Sequence, residues 1–179
     1  DNDMVKQMND QFHIPYEDET FDLIVSNQVV EHVHDLRTMT SEFNRVLKPN
    51  GQAILLCPTL ETVIEWHLMV PFVHWFNNYQ FTQKCLLRLF ATVGLGRGHS
   101  DDKDDWVANK FKFLQNFTRY RSRAEIIKNF NSENFSVQTI EREFYYKKYS
   151  ISVVAKLVLN RITLPYVVGS VFLIDKKRV

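Results

Sequence analysis

Two short apolar segments, separated by a helical pattern, constrain the fold of this chain more than any other feature. They are residues 21–26 and residues 53–57, and turn-forming residues bound each of them. Apolar runs of this length predict strands that are buried on both faces, as in a parallel sheet. Between them, apolar residues recur with a helical period, and Asp35 stands where a helix N-cap is expected. The pattern predicts a strand–helix–strand unit with parallel strands.

The helix between the two strands is expected to end at residues 48–51, whose sequence is Lys-Pro-Asn-Gly. Lysine suits the negative end of the helix dipole, proline cannot continue a helix, and asparagine and glycine tolerate left-handed backbone. Further along, the pattern predicts a helix, a strand, a helix and a last strand, over residues 123–130, 135–145, 151–162 and 171–174. This alternation predicts an α/β fold.

Residues 60–120 interrupt the alternation with many aromatic side chains, a helical stretch over residues 82–91 and an acidic loop over residues 100–105. The segment is too long and too apolar for a simple connection. We therefore predict an α/β core made of residues 1–59 and 121–179, and a helical, aromatic-rich insertion of residues 60–120 that covers one end of the sheet.

Composition and charge exclude several classes of partner and site. The 179 residues carry a formal net charge of +1 and contain no dense Lys/Arg stripe, so no nucleic-acid partner is predicted. Cys57 and Cys85 are far apart and outside any ligand spacing, which indicates neither a metal site nor a disulfide framework. No signal peptide and no apolar run of membrane-spanning length is visible, which favours a reduced cytoplasmic protein.

Three motifs follow one another in the first third of the chain. They are residues 14–27 (IPYEDETFDLIVSN), residues 30–33 (VEHV) and residues 45–51 (RVLKPNG). In this order they resemble the signature of class I S-adenosylmethionine-dependent methyltransferases of the type 11, UbiE-like family, over roughly residues 5–60. The resemblance implies a partial Rossmann-like sheet, mostly parallel with an antiparallel last strand, and S-adenosylmethionine as the cofactor.

Enzymes of this family hold the cofactor against a glycine-rich turn that follows their first strand. The glycine-rich residues of this chain, 94–98, follow a helical stretch instead of a strand, so we interpret them as a turn within the insertion. We therefore expect the chain to be the C-terminal portion of such a domain, without the glycine-rich cofactor loop.

The resemblance also implies cofactor contacts, residue by residue. Asp10 would accept a hydrogen bond from the adenine amino group, and Gln11 and Phe12 would flank the adenine. Asn27 and Gln28, just after the first strand, would line the methionine end of the cofactor. Simpler alternatives remain open, because Asp10 also suits a turn and Phe12 also suits the hydrophobic core.

Three residues are the candidates for acid–base chemistry: His32 after the first strand, and Glu65 and His67 at the start of the insertion. A hydroxyl acceptor needs a group that takes its proton, and histidine or glutamate can do so. With the aromatic residues 71–75, Glu65 and His67 resemble segments of methyltransferases associated with cell-surface glycan assembly, which makes the insertion a substrate cap. The alternatives are structural: a capping or surface role for His32, and packing of the aromatic side chains onto the sheet. Glu31 suits a structural partner of a backbone group or an arginine as readily as a base.

The predicted function is S-adenosylmethionine-dependent methyl transfer to a small-molecule, sugar or lipid-linked glycan acceptor. The alternative is a catalytically silent α/β scaffold or partner-binding fragment. Residues 63–93 offer a further possibility, a peripheral contact with a membrane surface that carries the acceptor. A sheet without its first strands exposes an apolar edge, so a homodimer through that edge is also expected.

Overall fold

The computed structural model describes residues 6–8, 12–96, 98, 102–148 and 164–177. The strands are β1 (Phe21–Asn27), β2 (Leu47–Cys57), β3 (Ile64–Glu65), β4 (Val70–Pro71), β5 (Phe135–Thr139) and β6 (Ser170–Lys176). The helices are α1 (Leu36–Val46), α2 (Gln80–Thr92), α3 (Lys103–Phe117), α4 (Arg123–Ser132), α5 (Glu141–Lys148) and α6 (Leu164–Val168). Short 3₁₀ turns occur at Val30–His32 and Val73–Phe76.

Four of these strands form one mixed sheet in the order β1-β2-β6-β5. β1 and β2 are parallel, with Val25 beside Ile54, and β6 runs antiparallel to both β2 and β5. β1, β2 and β5 therefore point in one direction, and the last strand opposes them. The predicted α/β fold, mostly parallel with an antiparallel last strand, is confirmed. β3 and β4 form a separate two-stranded pair.

One face of the sheet packs against α1 and α4. α1 begins after the predicted N-cap Asp35, whose carboxylate accepts the backbone N–H of Arg37. Apolar residues of α1, β2, α4 and β6 form the core of this part, including Leu36, Met39, Phe43, Leu55, Ile126, Phe130, Phe172 and Ile174. Because burying a side chain of this size contributes about 1.5–3 kcal/mol, this layer is the main source of stability for the sheet.

β1 differs from the prediction because only one of its faces is buried. Ile24 packs against the core, whereas Leu23 is 50% and Val25 is 62% exposed. β1 stands at the end of the strand order, and no other strand in the described part of the chain pairs with its outer edge. The expectation that β1 is buried on both faces was therefore wrong.

The junction between α1 and β2 also differs from the prediction. α1 ends at Val46, and Leu47 already has extended backbone, with φ −77° and ψ 136°. Lys48 therefore belongs to β2 instead of the last helical turn, and its Nζ lies 2.8 Å from Oδ2 of Asp22 in β1. Asn50 has a φ of 64°, which is the left-handed backbone expected of it, and the pairing of β1 with β2 is irregular here.

The C-terminal elements follow the predicted order, with one change. α4 and β6 occur where they were predicted, but the strand predicted over residues 135–145 ends at Thr139, and α5 begins at Glu141. Glu141 is buried against Arg123, with 3.0 Å between Oε1 and Nη2. Acidic residues in the first turn of α5 and basic residues in its last turn suit the helix dipole. The helix predicted over residues 151–162 lies outside the described residues.

Residues 60–120, which we call the cap segment, contain β3, β4, α2 and α3. Their buried side chains form a second hydrophobic cluster, which includes Leu68, Val70, Val73, Leu87, Phe90, Trp106, Val107, Leu114 and Tyr120. α2 covers the helical stretch predicted over residues 82–91. α3 begins at Lys103 with Asp102 as its N-cap, so part of the predicted acidic loop is helical. No helix in the described ranges has the length and apolarity that crossing a bilayer requires.

Candidate active site

β1 and β2 end at the same edge of the sheet, which is where open parallel sheets bind their ligands. After β1 the chain forms the 3₁₀ turn Val30–His32, and after β2 it enters the cap segment. The motif that follows β1 and the beginning of the cap segment are therefore the elements that can build a site at this edge.

Arg121 fixes the loop that follows β1. Its buried guanidinium donates from Nη1 to the carbonyl oxygen of Val30 at 3.0 Å. From Nη2 it donates to the carbonyl oxygens of Val33 and His34, at 2.8 and 2.9 Å. A planar guanidinium with several fixed donors suits three converging carbonyl groups better than any other side chain. Arg121 thereby holds the loop against the end of the cap segment.

Glu65, at the end of β3, is a fully buried carboxylate. Its Oε1 accepts from Nδ1 of His67 at 2.8 Å and from the hydroxyl of Tyr120, and its Oε2 accepts the backbone N–H of Leu68 at 2.6 Å. Burial opposes ionisation, but these hydrogen bonds outweigh it and hold the pKa of Glu65 below its usual value. Burial raises the pKa of the Tyr120 hydroxyl, which therefore keeps its proton. Glu65 is an ionised group that orients His67.

His32 and His67 form an edge-to-face pair of rings whose centroids are 5.1 Å apart. Nδ1 of His32 lies 2.6 Å from the carbonyl oxygen of Phe117, which can only accept, so Nδ1 carries the hydrogen. Nδ1 of His67 faces the carboxylate of Glu65 in the same way. In the neutral form of both rings, Nε2 is therefore the acceptor nitrogen. The side chains of His32 and His67 are 37% and 26% exposed.

The carboxylate of Glu31 lies close to both of these nitrogens. Its Oε1 is 3.9 Å from Nε2 of His32 and 4.0 Å from Nε2 of His67. The Glu31 side chain is fully buried, and within the described residues neither of its oxygens has a hydrogen-bond partner. Burial raises the pKa of Glu31 above its usual value. We call Glu31, His32 and His67 the Glu–His–His cluster.

The structure brings together the three residues predicted for acid–base chemistry, His32, Glu65 and His67. Their catalytic roles stay predictions. Glu31 and Tyr120 were not among these three candidates, although the position of Glu31 beside His32, just after β1, was a usable signal. Nothing in the sequence indicates that the hydroxyl of Tyr120 reaches Glu65 across 55 positions.

The predicted cofactor residues lie partly within the described ranges. Asn27 ends β1 at the carboxyl edge, and both Asn27 and Gln28 are exposed there. Gln28 has a φ of 56°, and its backbone N–H donates to the carbonyl oxygen of Leu56 at 2.8 Å. Phe12 is half-buried and packs against the core of the sheet, which agrees with the structural alternative for this residue. Asp10 and Gln11 lie outside the described residues.

A cleft of about 500 Å³ opens on the cap segment beside the site. Its lining includes Trp75, Asn77, Gln115, Arg119 and Tyr120. Tyr120 connects the cleft to the site, because it lines the cleft and its hydroxyl donates to Glu65.

A larger cavity of about 1000 Å³ lies away from this edge, beside the start of β2 and the end of β6. Two cations in its lining already have partners: Arg45 binds Glu42 and Asp18, and Lys176 donates to backbone carbonyls. We therefore assign the candidate site to the carboxyl edge and not to the larger cavity.

Comparison with known proteins agrees with the motifs. Residues 3–55 match the model of a methyltransferase domain family. The uncharacterized protein MJ0638 of Methanocaldococcus jannaschii is 31% identical over 74 residues, which are 41% of this chain and 29% of that protein. The chain therefore spans less than a third of the length of this relative.

Solved structures resemble the chain at low identity. The YcgJ protein of Bacillus subtilis has a TM-score of 0.48 at 16% identity, covering 97% of this chain and 71% of that one. An S-adenosylmethionine-dependent methyltransferase of Mesorhizobium loti has a TM-score of 0.48 at 12% identity, covering 92% and 65%. The match of residues 3–55 to the methyltransferase domain family covers the same part of the chain as the three motifs.

Proposed function

We propose that this chain contributes to methyl transfer from S-adenosylmethionine to an acceptor held between the carboxyl edge of the sheet and the cap segment. The observation that carries the proposal is the convergence of His32, Glu65 and His67 at the edge where ligands of open parallel sheets bind. The match of residues 3–55 to a methyltransferase domain family supports S-adenosylmethionine as the cofactor.

The residues present at this edge fit such a cofactor. The carboxamides of Asn27 and Gln28 are exposed where β1 ends, and they are suited to bind the polar methionine end. When bound, S-adenosylmethionine supplies an electrophilic methyl group on a positively charged sulfur. The contribution expected of the protein is alignment of the acceptor and exclusion of water.

His67 is the residue that we propose as proton acceptor. Glu65 accepts its Nδ1–H, so Nε2 is the ring nitrogen that can take the proton of a hydroxyl or amine. The charge of Glu65 also stabilises the imidazolium that results, as the third member of a catalytic triad does. Tyr120 and the backbone of Leu68 fix Glu65 in turn.

The cleft beside the site supports an acceptor that carries a sugar. Trp75 offers an aromatic surface, and Asn77, Gln115 and Arg119 offer hydrogen-bonding groups, which together suit a ring with several hydroxyl groups.

The exposed Phe81 and Leu89 on α2 favour a lipid-linked form of this acceptor at a membrane surface. Vesicle sedimentation tests that form: wild type should sediment with the vesicles, and Phe81→Asp should remain in solution. Equal sedimentation of both proteins would rule out this contact.

The proposal is tested by measuring the release of S-adenosylhomocysteine from the complete gene product with a panel of sugar-bearing acceptors. His67→Gln should lower the rate by about 10²- to 10⁴-fold, the usual contribution of a general base. His34→Gln is the matched control, since this exposed histidine lies in the same loop as His32 and should leave the rate unchanged. Equal rates for His67→Gln and wild type would refute the role of His67. A folded protein without turnover on any acceptor would favour the scaffold alternative.

A further inference from the structure

We infer that the Glu–His–His cluster is a binding site for a divalent first-row transition-metal ion. The ligand atoms are Oε1 of Glu31, Nε2 of His32 and Nε2 of His67. No Cys or ligand-spaced motif in the sequence indicates this site, because its members come from two distant segments that meet only in the fold.

The geometry of the cluster is close to that of a three-ligand metal site. Oε1 of Glu31 is 3.9 and 4.0 Å from the two Nε2 atoms, and all three ligand atoms lie within 4.8 Å of one another. Ligands of a tetrahedral zinc ion, at bond lengths of about 2.1 Å, are about 3.4 Å apart. Side-chain rotations that move each atom by about half an ångström therefore close the site on an ion.

Both histidines are held in the tautomer that a metal needs. Metal-binding histidine usually donates its second ring N–H to a carbonyl or carboxylate, which aims the other nitrogen at the ion. His32 does this through Nδ1 to the carbonyl oxygen of Phe117, at 2.6 Å. His67 does this through Nδ1 to the carboxylate of Glu65, at 2.8 Å.

Glu31 supplies the independent argument for a cation. A fully buried carboxylate is costly when, as for Glu31 among the described residues, no hydrogen bond reaches it, and buried charges in proteins are normally paired or bound to metals. The nearby charge of Glu65 cannot help, because it is a second anion whose oxygens are already bonded to His67, Tyr120 and Leu68. A divalent cation between Glu31 and the two imidazoles would compensate the burial of this carboxylate.

The ligand set selects the class of metal. Two imidazoles and one carboxylate are typical of zinc and of other first-row transition ions, whereas Mg²⁺ prefers oxygen ligands and keeps its waters. Because His32 and His67 are partly exposed, a fourth position of the ion can remain open to an external oxygen. If the proposed methyl transfer holds, that position would receive the acceptor hydroxyl and lower its pKa, so that its proton would pass to solvent. In the metal-bound form the ion would take over the role proposed for His67 in the metal-free protein.

Calorimetry of the chelator-treated protein with Zn²⁺ tests the site, with Co²⁺ absorption as a second readout of its geometry. One equivalent of Zn²⁺ should bind, Mg²⁺ should not compete, and the Co²⁺ complex should give visible bands typical of low coordination number. Glu31→Gln, His32→Ala and His67→Ala should each weaken binding by at least about 10-fold. His34→Ala, in the same loop, is the matched control and should bind like wild type.

Two results would overturn the inference: failure of wild type to bind one equivalent of Zn²⁺, or equal weakening by His34→Ala and His32→Ala. Circular dichroism of each variant separates loss of a ligand from loss of the fold, and Glu31→Gln preserves the side-chain volume. The hydrogen bond from His67 to Glu65 is tested separately, because Glu65→Gln should weaken Zn²⁺ binding by about 10- to 100-fold. If the protein bound Zn²⁺ but not S-adenosylmethionine, the metal site would stand and the proposed function would be refuted. If it bound S-adenosylmethionine but not Zn²⁺, the metal site would be refuted and the proposed function would stand.

Discussion

At the scale of single residues, several buried or bridging charges tie segments of the chain together through defined partners. Arg121 binds three carbonyl groups of the loop after β1, and Glu65 joins His67 to Tyr120. Glu42 on α1 does the same for the segment before β1. Its Oε2 accepts the backbone N–H of Ile14 at 2.9 Å, and both its oxygens accept from Arg45 at 2.8 Å.

Glu42 leads to a prediction about acid stability. The hydrogen bonds from Arg45 lower its pKa from 4.5 to about 2. Because the pKa is lower in the folded chain than in the unfolded chain, Glu42 stabilises the fold above pH 4.5, and this contribution is lost as the pH falls towards 2. In Glu42→Gln, the free energy of unfolding, measured with urea, should therefore fall less between pH 5 and pH 2 than in wild type. Glu17→Gln, at an exposed residue, is the control, and parallel curves for Glu42→Gln and wild type would contradict the prediction.

At the scale of elements, the helices and strands that could be predicted are those whose apolar pattern and terminal residues indicate the same structure. α1 has a helical apolar face and the N-cap Asp35, and β2 has a continuous apolar run; both occur nearly where they were predicted. The strand predicted over residues 135–145 failed at Glu141, since alternation alone does not reveal that this residue is buried against Arg123. The Glu–His–His cluster could not be predicted, because it depends on a contact between residues 31 and 67 that no local sequence pattern indicates.

The packing of α2 against α3 leads to a prediction about the turn that joins them. A Cβ atom on Gly96 would lie 2.8 Å from Cζ2 of the buried Trp106 and 3.2 Å from the carbonyl oxygen of Leu68, whereas one on Gly94 meets nothing within 4 Å. Both glycines have positive φ, so alanine strains the backbone at either position. Gly96→Ala should therefore cost about 1–3 kcal/mol more than Gly94→Ala, measured by urea unfolding. Equal costs would mean that the turn does not pack against α3.

At the scale of the whole molecule, the outer edge of β1 is the feature that bears on the homodimer predicted from the sequence. Leu23 and Val25 of β1 are half or more exposed, and within the described ranges no strand covers its outer edge. Such edges pair readily with another chain. In sedimentation experiments the 179-residue chain should therefore associate as a dimer at micromolar concentration, and Val25→Lys should shift it towards the monomer. A wild-type monomer under these conditions would contradict pairing through this edge.

The proposed function requires that the carboxyl edge of the sheet binds S-adenosylmethionine. Calorimetric titration of the complete gene product with S-adenosylhomocysteine, a stable form of the spent cofactor, tests it most directly. We expect one equivalent to bind, and we expect Asn27→Ala with Gln28→Ala to weaken binding by about 10-fold or more, as the loss of one or two hydrogen bonds implies. A folded wild-type protein that binds no S-adenosylhomocysteine would contradict the claim.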